Sequence, residues 1–231
     1  MYDRKINDKI LDFEASGALY HSALVMQDNQ TDSFWAMMTS TAIGGPQQGS
    51  KLVELPISTK TTWGEWKKRH PHTLLLNVDG DVHIQNNHYD NYFTSDRLFG
   101  EMSFQDKRLP PKTSIFAFND GHSDVAVTHK AAESGLVARV ADKPAFFYRP
   151  KDASLFRSTV AWHLEHKGKP IELKQVEGKW QSSEFGVLNE ADGRFAKSDL
   201  QLKAISGMDT FWYIWSQYHR KILLPEQDDA N

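Results

Sequence analysis

The chain contains no cysteine among its 231 residues. This absence excludes disulfide bonds, thiolate metal sites and thiol nucleophiles, although it leaves the redox compartment open. No run of about 18 apolar residues occurs, so the sequence predicts no membrane-spanning helix. Neither sign of charge dominates, because 27 basic residues stand against 30 acidic ones and the formal net charge is −3. We therefore expect no nucleic-acid partner and no attraction to an anionic membrane surface.

Turn signals between short apolar runs indicate a mainly β protein. Aromatic residues make up 12% of the chain, which favours strands. Hairpin turns are predicted where Gly or an Asp-Gly pair separates such runs, because these residues accept the positive φ of a tight turn. The predicted turns are Asp79-Gly80, Asn119-Asp120-Gly121, Lys167-Gly168 and Asp192-Gly193.

Two or three short helices complete the prediction. Thr62 and Glu65 have the spacing of a capping box, which predicts a helix that starts at Trp63. A second helix is predicted over Phe211–His219, with Asp209 or Thr210 as its N-cap. A brief helical turn is also expected between Thr128 and Gly135.

An internal repeat organises the chain. A Trp-x-x-Trp-x-x-x-His pattern occurs twice with matching apolar flanks, and its equivalent residues are 149 positions apart. The pairs are Trp63 and Trp212, Trp66 and Trp215, and His70 and His219. We therefore predict two related antiparallel β subdomains, a first repeat over residues 1–98 and a second over residues 99–231, packed as one compact unit.

The two repeats are unequal at their starts. Residues 104–161 precede Trp162 in the second repeat, and nothing equivalent precedes Tyr2 in the first. The sequence thus predicts that the first repeat is incomplete at its N-terminus. An open sheet edge or apolar face is expected there, unless the second repeat, a second copy of the chain or a partner chain covers it.

Several stretches, in order, resemble a prokaryotic family known as domain of unknown function 3179. The resemblance covers nearly the whole chain and implies no activity, because the family is uncharacterised. Its members commonly carry an export or lipoprotein segment, which implies an extracytoplasmic location. If Met1 is the natural start, a cytoplasmic location is expected instead. The matching stretches are residues 16–26, 31–35, 42–46, 62–71, 108–112 and 209–215.

This chain departs from the family pattern at two places. The family usually has Tyr-Cys-Pro-Leu-Cys just before the stretch that matches Tyr2-Asp3-Arg4, whereas this sequence starts after that point. Where the family usually has Asn before Ser22, this chain has His21. A thiol, metal or redox role implied by the family's cysteines cannot be carried by the residues present here.

The histidines and acidic residues give no spacing that predicts a metal site, so we expect no metal and no cofactor. His70 and His72 straddle a helix end and a proline, and His163 and His166 would point to opposite faces of a strand. The segment 28–39 lacks the glycine and the glutamate of a calcium loop, so a polar hairpin turn is the expected structure of its start.

A ligand site is predicted where the strand ending at His21 and the hairpin carrying Trp35 approach Tyr148 and Arg149. The predicted binding residues are His21, Ser22, Trp35, Tyr148 and Arg149. No Gly-x-Ser-x-Gly motif supports a serine nucleophile. Two hypotheses follow: a non-catalytic binding or scaffolding module, or an enzyme or metal protein whose active segment lies in a missing N-terminal part.

The repeated tryptophans have two interpretations. Trp63, Trp66, Trp212 and Trp215 could form a platform on which a carbohydrate stacks, or they could pack in ordinary cores. Helical spacing and duplication favour core packing.

Overall fold

The computed structural model describes residues 1–55, 60–75, 89–154 and 157–225. Strands dominate these ranges, as the turn signals predict, and three short helices accompany them. The helices are α1 (Trp63–Arg69), α2 (Asp90–Thr94) and α3 (Trp212–Tyr218). The strands are β1 (Lys5–Ile6), β2 (Lys9–Ile10), β3 (Phe13–Tyr20), β4 (Ala23–Asp28), β5 (Phe34–Ala36), β6 (Thr41–Gly44), β7 (Ser114–Asn119), β8 (Asp124–Thr128), β9 (Leu136–Val140), β10 (Lys143–Tyr148), β11 (Val160–His163), β12 (Glu165–His166), β13 (Lys169–Pro170), β14 (Lys174–Val176), β15 (Lys179–Ser182), β16 (Gly186–Asn189), β17 (Arg194–Phe195), β18 (Met208–Phe211) and β19 (Ile222–Leu223).

The N-terminal part is an antiparallel meander with a small core of its own. Strands β3, β4, β5 and β6 pair in sequence order, and β1 and β2 form a separate hairpin. Its core centres on Trp35, which is fully buried. The other buried members are Ile6, Leu11, Ala42 and Leu52.

The C-terminal part stacks two sheets in its centre. One sheet has the order β18-β7-β8-β19, and the other has the order β11-β10-β9. Phe118 and Val125 of the first sheet share a core with Leu136 and Phe147 of the second. All pairs in these sheets are antiparallel except β8 with β19, which is parallel.

Both outer faces of this sheet pair are also covered. Ile115 and Ala117 of β7 pack against Trp212 and Trp215 of α3. On the opposite side, Phe146 joins a core with residues of β11 to β17 and the segments that link them. Adjacent residues of a strand point to opposite faces, so the complete burial of both Phe146 and Phe147 requires packing on each side of β10.

The turn predictions are confirmed wherever the structure describes them. The turn after Asn119 joins β7 to β8, and Asp192-Gly193 lies between β16 and β17. Lys167-Gly168 joins β12 to β13. The predicted turn at Asp79-Gly80 lies outside the described residues.

The helix predictions are confirmed in place and partly wrong in detail. Thr62 caps α1, since its hydroxyl accepts the Glu65 backbone N–H at 3.3 Å. The N-cap of α3 is Phe211, without a side-chain hydrogen bond, so the prediction of Asp209 or Thr210 was wrong. Both residues lie in β18, where they pair with β7. In the described ranges, no helix combines the length and apolarity needed to cross a membrane.

The helical turn expected after Thr128 is present only as a hydrogen-bonded turn. The backbone N–H of Ala132 donates to the Thr128 carbonyl, and no helix follows. Helix α2 was not predicted, because its short stretch carries no capping signal of the kind found at Thr62.

The two Trp-x-x-Trp segments adopt similar local structures. Helices α1 and α3 each have seven residues, and in each the following histidine donates its backbone N–H to the second tryptophan's carbonyl. The imidazole also packs on that tryptophan, with ring centres 4.1 Å apart for Trp66 and His70 and 3.7 Å apart for Trp215 and His219. The duplication itself stays a prediction, which these likenesses support.

The two helices differ in what covers them. Trp212 and Trp215 are buried beneath the β7–β8 sheet, in agreement with the core-packing interpretation. Trp63 is 45% exposed, and α1 has no buried residue. Helix α1 therefore leaves the apolar side chain of Trp63 open to solvent.

Protonation of His219 should lower the free energy of unfolding. Its Nδ1–H donates to Asp124 Oδ1 at 2.9 Å, and its Nε2 is buried with no hydrogen-bond partner among the described residues. A proton on Nε2 would create an unsatisfied buried donor. Burial lowers the pKa of His219 below its ordinary value of 6.5, although Asp124 partly opposes this.

We therefore expect the free energy of unfolding to fall as the pH drops below about 6.5, because the unfolded chain binds a proton that the native chain resists. His219→Asn keeps a donor toward Asp124 and removes the titration, so its unfolding free energy should depend less on pH. Urea denaturation from about pH 7.5 to about pH 5 measures this. His122→Asn, at an exposed turn, is the control. Equal pH dependence in His219→Asn and the unmodified protein would contradict the prediction.

Candidate functional site

A cleft lies between α1 and β11. Its volume is about 450 Å³. One wall comes from α1 and the residues just before it, and the opposite wall comes from β11 and the segment 204–206. The lining includes Lys60, Thr61, Glu65, Lys68, Arg69, Phe116, Tyr148, Pro150, Arg157, Ser158, Thr159, Val160, Ala161, Trp162, Ala191, Ala204, Ile205 and Ser206.

The floor of the cleft is apolar and rigidly held. Phe116, Ala161, Trp162 and Ile205 are all buried members of the central cores. The Trp162 indole N–H donates to the Glu190 carbonyl at 2.9 Å, which fixes the plane of its ring. An apolar ligand group could therefore displace water from a preformed surface.

The rim of the cleft carries an excess of positive charge. Four cationic side chains line it, whereas Glu65 is the one carboxylate among the described lining residues. Glu65 accepts a hydrogen bond from Arg157 across the cleft. The four cations are Lys60, Lys68, Arg69 and Arg157.

Beside the cleft, the largely buried carboxylate of Asp209 is the centre of a polar network. It accepts hydrogen bonds from the Ser158 hydroxyl at 2.5 Å and from His129 Nε2 at 3.0 Å. Lys60 Nζ lies 3.8 Å from the same carboxylate. Burial alone would raise the pKa of Asp209, but the hydrogen bonds from His129 and Ser158 and the nearby charges outweigh it and lower the pKa below 3.8. Asp209 is therefore ionised at neutral pH.

The order of groups in this network differs from that of a serine hydrolase. In such an enzyme the imidazole lies between the hydroxyl and the carboxylate and removes the hydroxyl proton. Here the carboxylate of Asp209 lies between Ser158 and His129. Ser158 also accepts the Lys60 backbone N–H at 2.9 Å, so its hydroxyl is committed to structural contacts.

Tyr148 adds a neutral hydroxyl to the cleft lining. Burial raises the pKa of Tyr148 above 10, Glu190 raises it further, and Arg157 partly opposes them. Tyr148 is the one residue of the five in the predicted ligand site that lines this cleft.

His21 and Ser22 lie elsewhere, at a junction between the N-terminal meander and α3. They form the two-residue turn between β3 and β4, with φ of 44° and 64°. The Gln217 amide donates to the His21 carbonyl at 3.2 Å and to the Ser22 hydroxyl at 3.3 Å. The His21 ring packs against Tyr20 and Tyr218. These contacts join two parts of the fold.

Arg149 also makes structural contacts. It is buried, and its guanidinium donates to the carbonyls of Ser154 at 2.6 Å and Arg157 at 3.2 Å. It thereby orders the chain that carries Arg157 and Ser158 toward the cleft. The five predicted residues are thus distributed over separate parts of the fold, and their binding role stays a prediction.

Trp35 is the central residue of the N-terminal core. Its indole N–H donates to Asp28 Oδ2 at 2.9 Å. Asp28 also accepts the Thr31 backbone N–H at 2.6 Å, so the segment 28–32 forms the expected polar turn. Burial would raise the pKa of Asp28, but the bonds from Trp35 and Thr31 lower it below 3.8.

The described residues contain no group of three or more His, Cys, Asp or Glu side chains placed to hold a metal ion. His70 ends α1, and His163 and His166 belong to different short strands.

Several residues of the cleft and its network escaped prediction from the sequence. Glu65 was assigned only to helix capping, and Asp209 only to a helix N-cap. Lys60, Ser158 and Asp209 meet although they are far apart in the chain. One feature of the sequence points to this network: Asp209 is the first residue of the stretch 209–215, which resembles the family.

We expect Trp35→Phe to lower the free energy of unfolding by about 2–4 kcal/mol, because it leaves a cavity and removes a donor from a buried carboxylate. The exposed Trp63 offers a matched control, and Trp63→Phe should cost less than about 0.5 kcal/mol. Urea denaturation of both variants measures the difference. Equal costs for the two substitutions would contradict a core role for Trp35.

Comparison with known proteins yields one match. The model of a family described as a protein of unknown function, DUF3179, matches residues 1–222. No curated protein and no solved structure matches the chain.

Proposed function

The chain belongs to the DUF3179 family of unknown function, and from the geometry of its side chains we propose that it is a binding module for a small anionic ligand with an apolar body. The ligand would occupy the cleft between α1 and β11. The observation that carries this proposal is the division of the cleft into a buried apolar floor and a cationic rim.

The size of the cleft suits a small molecule. Binding sites for small molecules have volumes of about 300–1,000 Å³ and combine apolar walls with a few polar groups that fix orientation. A volume of about 450 Å³ falls near the lower end of this range. A ligand with one or two rings, or an alkyl chain of similar bulk, would fill it.

The rim selects the charge of the ligand. Guanidinium groups bind carboxylate and phosphate groups through paired hydrogen bonds, and lysines add compact positive charge. Arg157 now has Glu65 as its anionic partner. A bound carboxylate or phosphate would replace Glu65 at this guanidinium or share it.

Binding rather than catalysis is favoured by the state of the nearby polar groups. Ser158 and Asp209 are fully engaged with each other, and the imidazole of His129 lies beyond the carboxylate. This arrangement holds the wall of the cleft in place. It does not give Ser158 the adjacent base that a nucleophile needs.

We expect phenyl phosphate to bind in this cleft more tightly than phenol, because the two probes share a ring and differ in the anionic group. In the double variant Lys68→Ala with Arg69→Ala, the Kd for phenyl phosphate should rise by about tenfold, which corresponds to about 1.4 kcal/mol. Isothermal titration calorimetry at low salt measures both ligands.

Lys67→Ala is the matched control, since Lys67 is exposed on the same helix and does not line the cleft. It should leave the Kd unchanged. Equal affinity for phenol and phenyl phosphate, or an equal loss in Lys67→Ala, would contradict the proposal.

Glu65→Gln should have the opposite effect. It removes the carboxylate that competes with the ligand for Arg157 while it keeps a side chain of similar shape. The Kd for phenyl phosphate should therefore fall by a few-fold, because one competing ion pair near the surface contributes only modestly. A rise in the Kd, measured by the same calorimetry in a folded variant, would show that Glu65 does not compete with the anion.

A further inference from the structure

A second cavity lies next to the cleft and is rich in methionine. Its volume is about 200 Å³, and Lys60 and Ser158 line both cavities. Four of its lining residues are methionines, although the whole chain contains only 6. They are Met1, Met37, Met38 and Met208.

These methionines come from segments that are distant in sequence and held by backbone contacts. Met37 and Met38 begin the turn after β5, and the Tyr2 hydroxyl donates to the Met37 carbonyl at 2.8 Å. Met208 begins β18 and pairs with Ala117. The Met1 carbonyl accepts the Leu55 backbone N–H at 2.8 Å. The cluster therefore depends on the folded chain.

Ordinary core packing accounts for only part of this arrangement. Methionine serves in cores because its flexible side chain fills irregular gaps. Around this cavity the methionines leave a gap of about 200 Å³ open. Met26 packs against the N-terminal core and Met208 against the core of β7 and α3 in this ordinary way, whereas Met37 and Met38 belong to no core cluster of the described residues.

The chemistry of the lining fits a soft cation. Thioether sulfur binds Cu(I) and similar soft ions, whereas it binds hard ions such as Mg²⁺ and Ca²⁺ poorly. Glu54, Asp209 and Lys60 also line the cavity. Because Asp209 is already paired with Lys60, His129 and Ser158, the exposed carboxylate of Glu54 would balance the charge of a monovalent ion. The absence of cysteine means that no thiolate in this chain competes for such an ion.

We propose that the methionine cavity binds one soft monovalent cation, Cu(I) or Ag(I), through the thioethers of Met37, Met38 and Met208. Met1, which is 61% exposed, would close the solvent side. This proposal does not rest on an anionic ligand in the cleft, and its test uses other variants and another probe, so either proposal can fail without the other.

Ag(I) is the probe of choice, because it has the ligand preference of Cu(I) without its redox chemistry. Calorimetric titration of the full chain with silver nitrate in chloride-free buffer should show one ion bound per chain. The triple variant Met37→Leu, Met38→Leu and Met208→Leu keeps nearly the same side-chain volume, so it should fold. Its Kd for Ag(I) should rise by at least about tenfold.

Met102→Leu is the matched control, since Met102 is an exposed methionine outside the cavity. It should bind Ag(I) as the unmodified protein does. Failure of the folded, unmodified chain to bind Ag(I), or binding retained in the triple variant, would overturn the proposal.

Methyl NMR of the unmodified protein keeps the test decisive if the triple variant does not fold. With the methionine methyl groups labelled with carbon-13, Ag(I) should shift the resonances of Met37, Met38 and Met208 and leave those of Met26 and Met102 in place. Shifts confined to Met26 or Met102 would overturn the proposal.

Discussion

The carboxylate of Asp209 is charged and largely buried, and the fold supplies the hydrogen-bond partners that stabilise it. A buried charge without hydrogen bonds is strongly unfavourable, whereas a fully paired one fixes the positions of its donors. His129, Ser158 and Lys60 come from three separate segments and converge on it. Because Ser158 and Lys60 line both the cleft and the methionine cavity, the geometry of the two candidate sites depends on this one group.

The two candidate sites lie where the layered C-terminal part of the chain meets the N-terminal part. The two central sheets are covered on both faces, so they present little free surface in the interior of the C-terminal part. The cleft forms where that covered core ends and α1 of the N-terminal part begins. The central cores supply the buried floor of the cleft. Helix α1, which contains no buried residue, supplies charged side chains to its rim.

Local patterns predicted the local structure, and long-range contacts escaped prediction. Gly and Asp-Gly pairs specify hairpins through their tolerance of positive φ, and Thr62 specifies a helix start through its hydroxyl. The positive φ of His21 explains why a residue such as Asn would also suit its position. Nothing local indicates that Asp209 binds His129 or that methionines 171 positions apart share a cavity. Cleft residues such as Arg157 were missed because their neighbours are set by tertiary packing.

The lack of buried residues in α1 has a consequence for molecular recognition. Opening of this helix would expose no fully buried residue, whereas α3 has five, so its free-energy cost would be smaller than that of disrupting α3. Amide hydrogens of α1 should therefore exchange with solvent before those of α3. The wall of the cleft formed by α1 can therefore open at low cost, whereas the wall formed by β11 is held by the central cores. Such a pocket could accommodate ligands of different length.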